Sequence, residues 1–142
     1  MKKRYAEVGI GGRARMYYEA LVTKYNDINE LVAFCDQSKT RMDYANSVIE
    51  SLGGKRVPEY SANEFEKMID ETKPDVIIVT TVDRTHDDYI VRAMEKGCDI
   101  ITETPITTDE RKAQRIIDCA KKTGCHIRVT FNYRYASFDT KM

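Results

Sequence analysis

Three groups of residues in this chain have types and spacings suited to chemistry. The first is Gly9, Gly11 and Gly12, followed by Arg13 and Ala14, at the end of the run Tyr5-Ala6-Glu7-Val8. Gly-x-Gly-x-x-Ala spacing lets a strand turn tightly at Gly9 and brings backbone at Gly11 close to a diphosphate. A small residue at Ala14 then lets the following helix pack closely on the strand. The N–H groups and positive dipole end of that helix suit an anion at the same spot, and Arg13 or Arg15 adds charge. A glycine pattern by itself fits a purely structural turn equally well, so the reading needs support elsewhere in the chain.

The second group is Asp36, which follows Ala14 by 22 positions. A dinucleotide-binding fold places its ribose-binding acid at roughly 20 positions. A carboxylate there accepts bonds from both adenosine ribose hydroxyls and repels a 2′-phosphate. The alternative is a solvated aspartate that caps the next helix, which Ser38 could do as well. Asp36 closes the continuous apolar run Leu31-Val32-Ala33-Phe34-Cys35, so the ribose role is the expectation. The third group is Thr80, Thr81 and His86, at the polar exit of the β-branched run that starts at Asp75. Parallel sheets bind ligands at such carboxyl ends. Thr80 and Thr81 are expected on the central part of a bound dinucleotide. His86 either contacts cofactor or substrate or faces solvent in a helix's first turn.

These groups need a frame of alternating strands and helices. Met16, Ala20, Leu21 and Tyr25 recur at helical spacing, predicting a helix from Ala14 to about Tyr25. Lys39 to Leu52 reads as a second helix stopped by Gly53-Gly54, and Val57-Pro58 as at most a short strand. Ser61-Ala62-Asn63-Glu64 has capping-box spacing and opens a helix through Phe65, Met68 and Ile69, which Lys73-Pro74 ends. The strand from Asp75 is expected in mid-sheet. Thr85 is expected to cap a helix from His86 to Lys96. Cys98 to Thr102 is the next strand, a helix opens at Thr107-Thr108-Asp109-Glu110 and ends at Gly124, and Ile127 to Phe131 is the last strand. This alternation calls for an α/β fold, a doubly wound parallel sheet with right-handed crossovers, of the Rossmann type. The domain is expected over residues 1–135, with 136–142 starting a linker.

Bulk properties exclude several classes. With 142 residues the chain holds one domain. Lysine plus arginine and aspartate plus glutamate both number 23, so no nucleic-acid or anionic-membrane partner is indicated. No apolar run approaches the roughly 20 residues that cross a bilayer. The four cysteines form no C-x-x-C pair. Cys125 and His126 alone make a poor metal site, so no metal is expected. Reduced thiols in a cytoplasmic protein are the expectation.

With these residues in place, the chain resembles the glucose-fructose oxidoreductase / inositol dehydrogenase / rhizopine-catabolism (Gfo/Idh/MocA) oxidoreductase family, in its amino-terminal nucleotide-binding half. The resemblance rests on Val8-Gly9-Ile10-Gly11, the strand end Phe34-Cys35-Asp36, Lys73-Pro74-Asp75-Val76 and Thr80-Thr81 with His86. It rests also on the Glu103-x-Pro105 turn and on Phe131-Asn132-Tyr133-Arg134-Tyr135. It implies hydride transfer between a nicotinamide cofactor and a sugar or polyol. It also implies a downstream substrate domain, outside this chain, that often mediates homo-oligomers. By the same resemblance Glu103 holds the nicotinamide ribose, and Asn132 and Arg134 face the nicotinamide end. For Arg134 the alternative is a surface ion pair. NAD is the expected cofactor and NADP is disfavoured by Asp36, although Ser38 and Arg41 lie nearby.

One position departs from the family pattern. The family's usual turn is Glu-Lys-Pro, whose lysine assists proton transfer, and this chain has Glu103-Thr104-Pro105. A threonine hydroxyl is a poor acid or base near neutral pH, so a catalytic role for Thr104 is doubtful. The departure leaves three readings open: a dehydrogenase half with the role lost or moved, the family's NAD-dependent glycosidase branch, or a non-catalytic nucleotide-binding module.

Overall fold

Strands and helices alternate along the chain as the hydrophobic patterning predicts. The computed structural model describes residues 3–10, 14–23, 28–80, 83–103, 110–130 and 137–140. In chain order the elements are β1 (Lys3–Val8), α1 (Arg15–Val22), β2 (Asn29–Asp36), α2 (Lys39–Ser51) and β3 (Glu59–Ser61). They continue with α3 (Phe65–Thr72), β4 (Val76–Val79), α4 (Asp83–Glu95), β5 (Asp99–Glu103), α5 (Glu110–Thr123), β6 (Ile127–Thr130) and β7 (Ser137–Thr140).

The strands form one sheet in the order β3-β2-β1-β4-β5-β6-β7. Pairing is parallel from β3 through β6, and β7 lies antiparallel on β6. The chain winds outward from β1 through β2 to β3, then returns to the other side of β1 and winds outward again from β4. That reversal leaves a crevice between β1 and β4 at their carboxyl ends, where such sheets bind ligands.

Both faces of the sheet are buried, which explains the continuous apolar runs of β2 and β4. On one face Ala6, Val8, Ile77, Val79 and Ile100 pack against Phe65, Met68, Ile90, Met94 and Ile116 of α3, α4 and α5. On the other, Leu31, Phe34 and Ile78 pack against Ala14, Tyr18, Leu21, Met42 and Ile49 from α1 and α2. Each such large side chain contributes about 1.5–3 kcal/mol when fully buried. Ala14 is fully buried at the start of α1, so a larger side chain there would separate helix from sheet.

The Ser61–Glu64 box forms as read: Glu64 Oε1 accepts the Ser61 N–H at 3.1 Å. It opens a 3-10 turn (Ala62–Glu64) that runs into α3. Lys73, held before Pro74, ends α3 in the left-handed region at φ 49°. β4 sits mid-sheet, as its composition requires.

Four elements differ from the sequence reading. Described helix α1 ends at Val22 rather than near Tyr25. A strand forms after Pro58, at Glu59–Ser61, because it pairs with Phe34–Asp36; nothing in Glu-Tyr-Ser itself signals a strand. α4 starts at Asp83, so Thr85 lies inside it rather than capping it. Residues 137–140, read as linker, form β7, whose pairing partner on β6 supplies what the short sequence does not.

Candidate functional site

The site grows from the end of β1. Gly9 has φ 83°, a left-handed conformation that a residue with a Cβ adopts only at a cost of about 1–2 kcal/mol. The turn is tied to both neighbouring strands. Gly9 N donates to Cys35 O of β2 at 2.9 Å, and Thr80 N donates to Val8 O at 2.9 Å. The Thr80 hydroxyl lies 2.6 Å from Gly9 O, 3.1 Å from Val8 O and 3.3 Å from Glu7 Oε2. One hydroxyl carries one proton, and the shortest contact, Gly9 O, takes it. Thr80 thus closes the crevice between β1 and β4 from below and fixes where the glycine turn begins.

Asp36 ends β2 beside this turn and is only 8% exposed. Its Oδ2 accepts the Ser38 N–H at 3.3 Å, and among the described residues its other oxygen accepts none. Ser38 in turn caps α2, its hydroxyl accepting from Arg41 N at 3.3 Å. Of the two candidate cappers, Ser38 caps the helix and Asp36 accepts the Ser38 N–H. The Cys35 thiol below is pushed up to about 12, first by burial and then by the Asp36 charge, so it stays neutral and unreactive.

Two further side chains tie the neighbouring elements together. Thr102, fully buried near the end of β5, donates to Val79 O at 3.2 Å. On α4, Tyr89 packs edge-on against Phe65, ring centroids 5.0 Å apart. Its phenol is pushed up chiefly by burial, then by Cys35, with Asp36 a smaller contributor. The Arg92 guanidinium lies 5.1 Å from the Phe65 ring centre and 5.5 Å from that of Tyr89. It also pairs with Glu66 of α3 and, at 3.0 Å, with Asp88. Cation–π contact plus charge-assisted bonds make Arg92 the bolt between α3 and α4.

The structure thus brings together Gly9, Ala14, Asp36 and Thr80 from the sequence reading. It places His86 in the first turn of α4 and Glu103 at the last position of β5, through their backbone alone. Gly11, Gly12, Arg13, Thr81, Thr104, Asn132 and Arg134 lie outside the described residues. Among the described residues no cluster of three or more metal-ligating side chains occurs, and no helix is long and apolar enough to cross a membrane. The sequence reading missed Glu7, fully buried in β1. Its signal was visible: a carboxylate inside a run expected to be covered on both faces.

This geometry fits a dinucleotide. A glycine in the left-handed region offers a turn without a Cβ, a helix starts just beyond it, and a buried acid ends the adjacent strand. The comparisons with known proteins agree. The sequence matches the model of the oxidoreductase family with the NAD-binding Rossmann fold over residues 3–131. It is 32% identical over 135 residues to the putative oxidoreductase YteT of Bacillus subtilis, covering 94% of this chain and 31% of that protein. It is 30% identical over 138 residues to the D-glucoside 3-dehydrogenase of Escherichia coli, covering 97% of this chain and 37% of that one. Among solved structures, the WlbA dehydrogenase of Chromobacterium violaceum, in complex with NADH and UDP-GlcNAcA, is 26% identical. It superposes with a TM-score of 0.76 over 91% of this chain and 35% of that chain. The chain spans about a third of the length of the curated relatives it matches.

Proposed function

The chain belongs to the oxidoreductase family with the NAD-binding Rossmann fold, and on that premise we propose that it is the nucleotide-binding portion of a dehydrogenase acting on a sugar or polyol. One observation carries the reading: the Gly9 turn, Asp36 and Thr80 meet at the carboxyl ends of β1, β2 and β4. In this reading the turn from Gly9 through Gly11, Gly12 and Arg13 to Ala14 binds the diphosphate. The oxygen that Asp36 keeps free of the α2 cap accepts from the adenosine ribose. Thr80 positions the turn, and Thr81, His86, Glu103, Asn132 and Arg134 line the path toward the nicotinamide. Bound nicotinamide would supply the hydride acceptor or donor.

Asp36 excludes a 2′-phosphate by charge, so NAD is preferred over NADP. Calorimetric titration with the two nucleotides tests this; equal or tighter binding of NADP would overturn it. The substrate side belongs to a further, carboxyl-terminal domain; the match covers only 37% of the D-glucoside 3-dehydrogenase relative. A homo-oligomer built through that domain completes the proposal. The free thiols Cys35, Cys98, Cys119 and Cys125 support a reducing, cytoplasmic compartment. The Glu103-Thr104-Pro105 turn favours a second reading, in which a sugar is oxidised and re-reduced at one site without net redox change, as in a glycosidase branch. Release of a sugar from a glycoside with only catalytic NAD would identify that branch.

A further inference from the structure

Cys98 and Cys125 stand side by side where β5 and β6 begin. The two strands run parallel with Ile100 opposite Ile127. Ile100 N donates to His126 O at 2.9 Å, and His126 N donates to Asp99 Oδ1 at 2.9 Å, so the pairing holds back to the residues just before both isoleucines. Cys98 lies two residues before Ile100, and Cys125 two before Ile127. Side chains alternate along a strand, so each cysteine shares a face with its isoleucine. That face is the core under α3, α4 and α5: Cys98, Ile100 and Ile127 belong to it, and Cys125 packs against it. Neighbouring strands lie about 4.7–4.9 Å apart, inside the roughly 4.4–6.8 Å between Cα atoms that a disulfide spans.

The two thiols differ in what reaches them. Cys98 is fully buried, and its Sγ donates to Pro74 O at 3.4 Å. Cys125 is partly exposed, its Sγ donating to Met94 O of α4 at 3.6 Å. A dissolved oxidant therefore meets Cys125 first. Burial pushes the Cys98 thiol up to about 12, and the charge of Cys125 is the next contribution, ahead of Asp75 and Asp99. Cys98 is thus a weak nucleophile toward anything in solution, and acts only on a group fixed beside it, where proximity raises its effective concentration. The third thiol of this region, Cys119 of α5, donates to Val91 O at 3.7 Å, one turn before Met94 on α4. It sits on a helix, and no strand register aligns it with Cys125.

We propose that Cys125 is an oxidation site for hydroperoxides and Cys98 its resolving thiol, the two closing a reversible disulfide between β5 and β6. In the first step the Cys125 sulfur attacks one peroxide oxygen and the O–O bond breaks. The displaced oxygen leaves with the proton given up by Cys125, and Cys125 becomes a sulfenic acid. In the second step the Cys98 sulfur attacks the Cys125 sulfur and the S–O bond breaks. Hydroxide leaves with the Cys98 proton as water. Two thiols are oxidised to one disulfide, and one peroxide is reduced.

The test exposes this chain, fully reduced, to a few equivalents of hydrogen peroxide at neutral pH. Remaining thiols are blocked with N-ethylmaleimide and the peptides are mapped by mass spectrometry. The expected product is one disulfide within the chain, from Cys98 to Cys125, which dithiothreitol reverses, with Cys35 and Cys119 still thiols. In Cys98→Ser the disulfide is lost, and dimedone, which captures sulfenic acids, labels Cys125. Dimedone added to the parent together with peroxide gives a readout that needs no variant: it labels Cys125 and suppresses the disulfide. A bond from Cys125 to Cys119, a bond between two chains, or a Cys125 that is oxidised with no disulfide formed overturns the proposal. So does a dimedone label on Cys98 in place of Cys125.

Discussion

Thr80→Val isolates the role given to one hydroxyl. Valine keeps the β-branched shape, and the Thr80 N–H to Val8 O bond of 2.9 Å survives the change. What is lost is the donor to Gly9 O at 2.6 Å. A net hydrogen bond contributes about 1 kcal/mol, and a buried carbonyl left without a donor costs about 1–3 kcal/mol. Gly9 is buried, so the larger figure applies and the variant should lose roughly 1–3 kcal/mol. For a domain of this size that lowers the thermal midpoint by roughly 3–10 °C. Nucleotide must then order a loosened turn, so its dissociation constant should rise by about 5- to 100-fold. Thr80→Ser keeps the hydroxyl and should bind nearly as the parent does. Thermal denaturation and calorimetric titration of the three proteins read both effects. If Thr80→Val binds NAD as tightly as the parent, the hydroxyl does not position the turn.

Gly11→Val should abolish NAD binding while leaving the folded circular-dichroism spectrum intact, because a side chain would occupy the diphosphate position; unaltered binding would move the diphosphate elsewhere. Burial pushes the Cys35 and Cys98 thiols up to about 12 and raises that of Cys119. A thiol reagent at neutral pH should therefore modify Cys125 first and the other three only on unfolding. Prompt reaction of two or more thiols in the native protein would contradict the described core. In a longer form carrying a substrate domain, Thr104→Lys should raise NAD reduction across a panel of sugars and polyols by roughly a hundred- to ten-thousand-fold, the usual contribution of a positioned acid/base group, without changing NAD affinity. Robust turnover by the threonine form would show that another group carries the proton.

Much of the fold was legible because the buried strands are apolar on both faces and the helices are punctuated by Gly53, Pro74, Gly97 and Gly124. Gly9, Ala14 and Asp36 were legible as structural positions: a tight turn at φ 83°, a fully buried small residue at the start of α1, and the end of an apolar strand. The roles inside the site were less so. The bond from Thr80 to Gly9 O was not legible, because only the register of β1 against β4 brings the two together. β3 and β7 owe their existence to a neighbouring strand rather than to their own residues, so a local reading passes over them. The Arg92 bolt joins residues 26 positions apart, a separation at which no periodicity points from one to the other.

The most direct test of the central claim is titration of this chain with NAD and with NADP under identical conditions. One NAD site per chain is expected, with NADP weaker because Asp36 meets its 2′-phosphate. An Asp36→Ser variant should narrow that gap. A chain that binds neither nucleotide, or binds NADP as well as NAD with Asp36 in place, would contradict it.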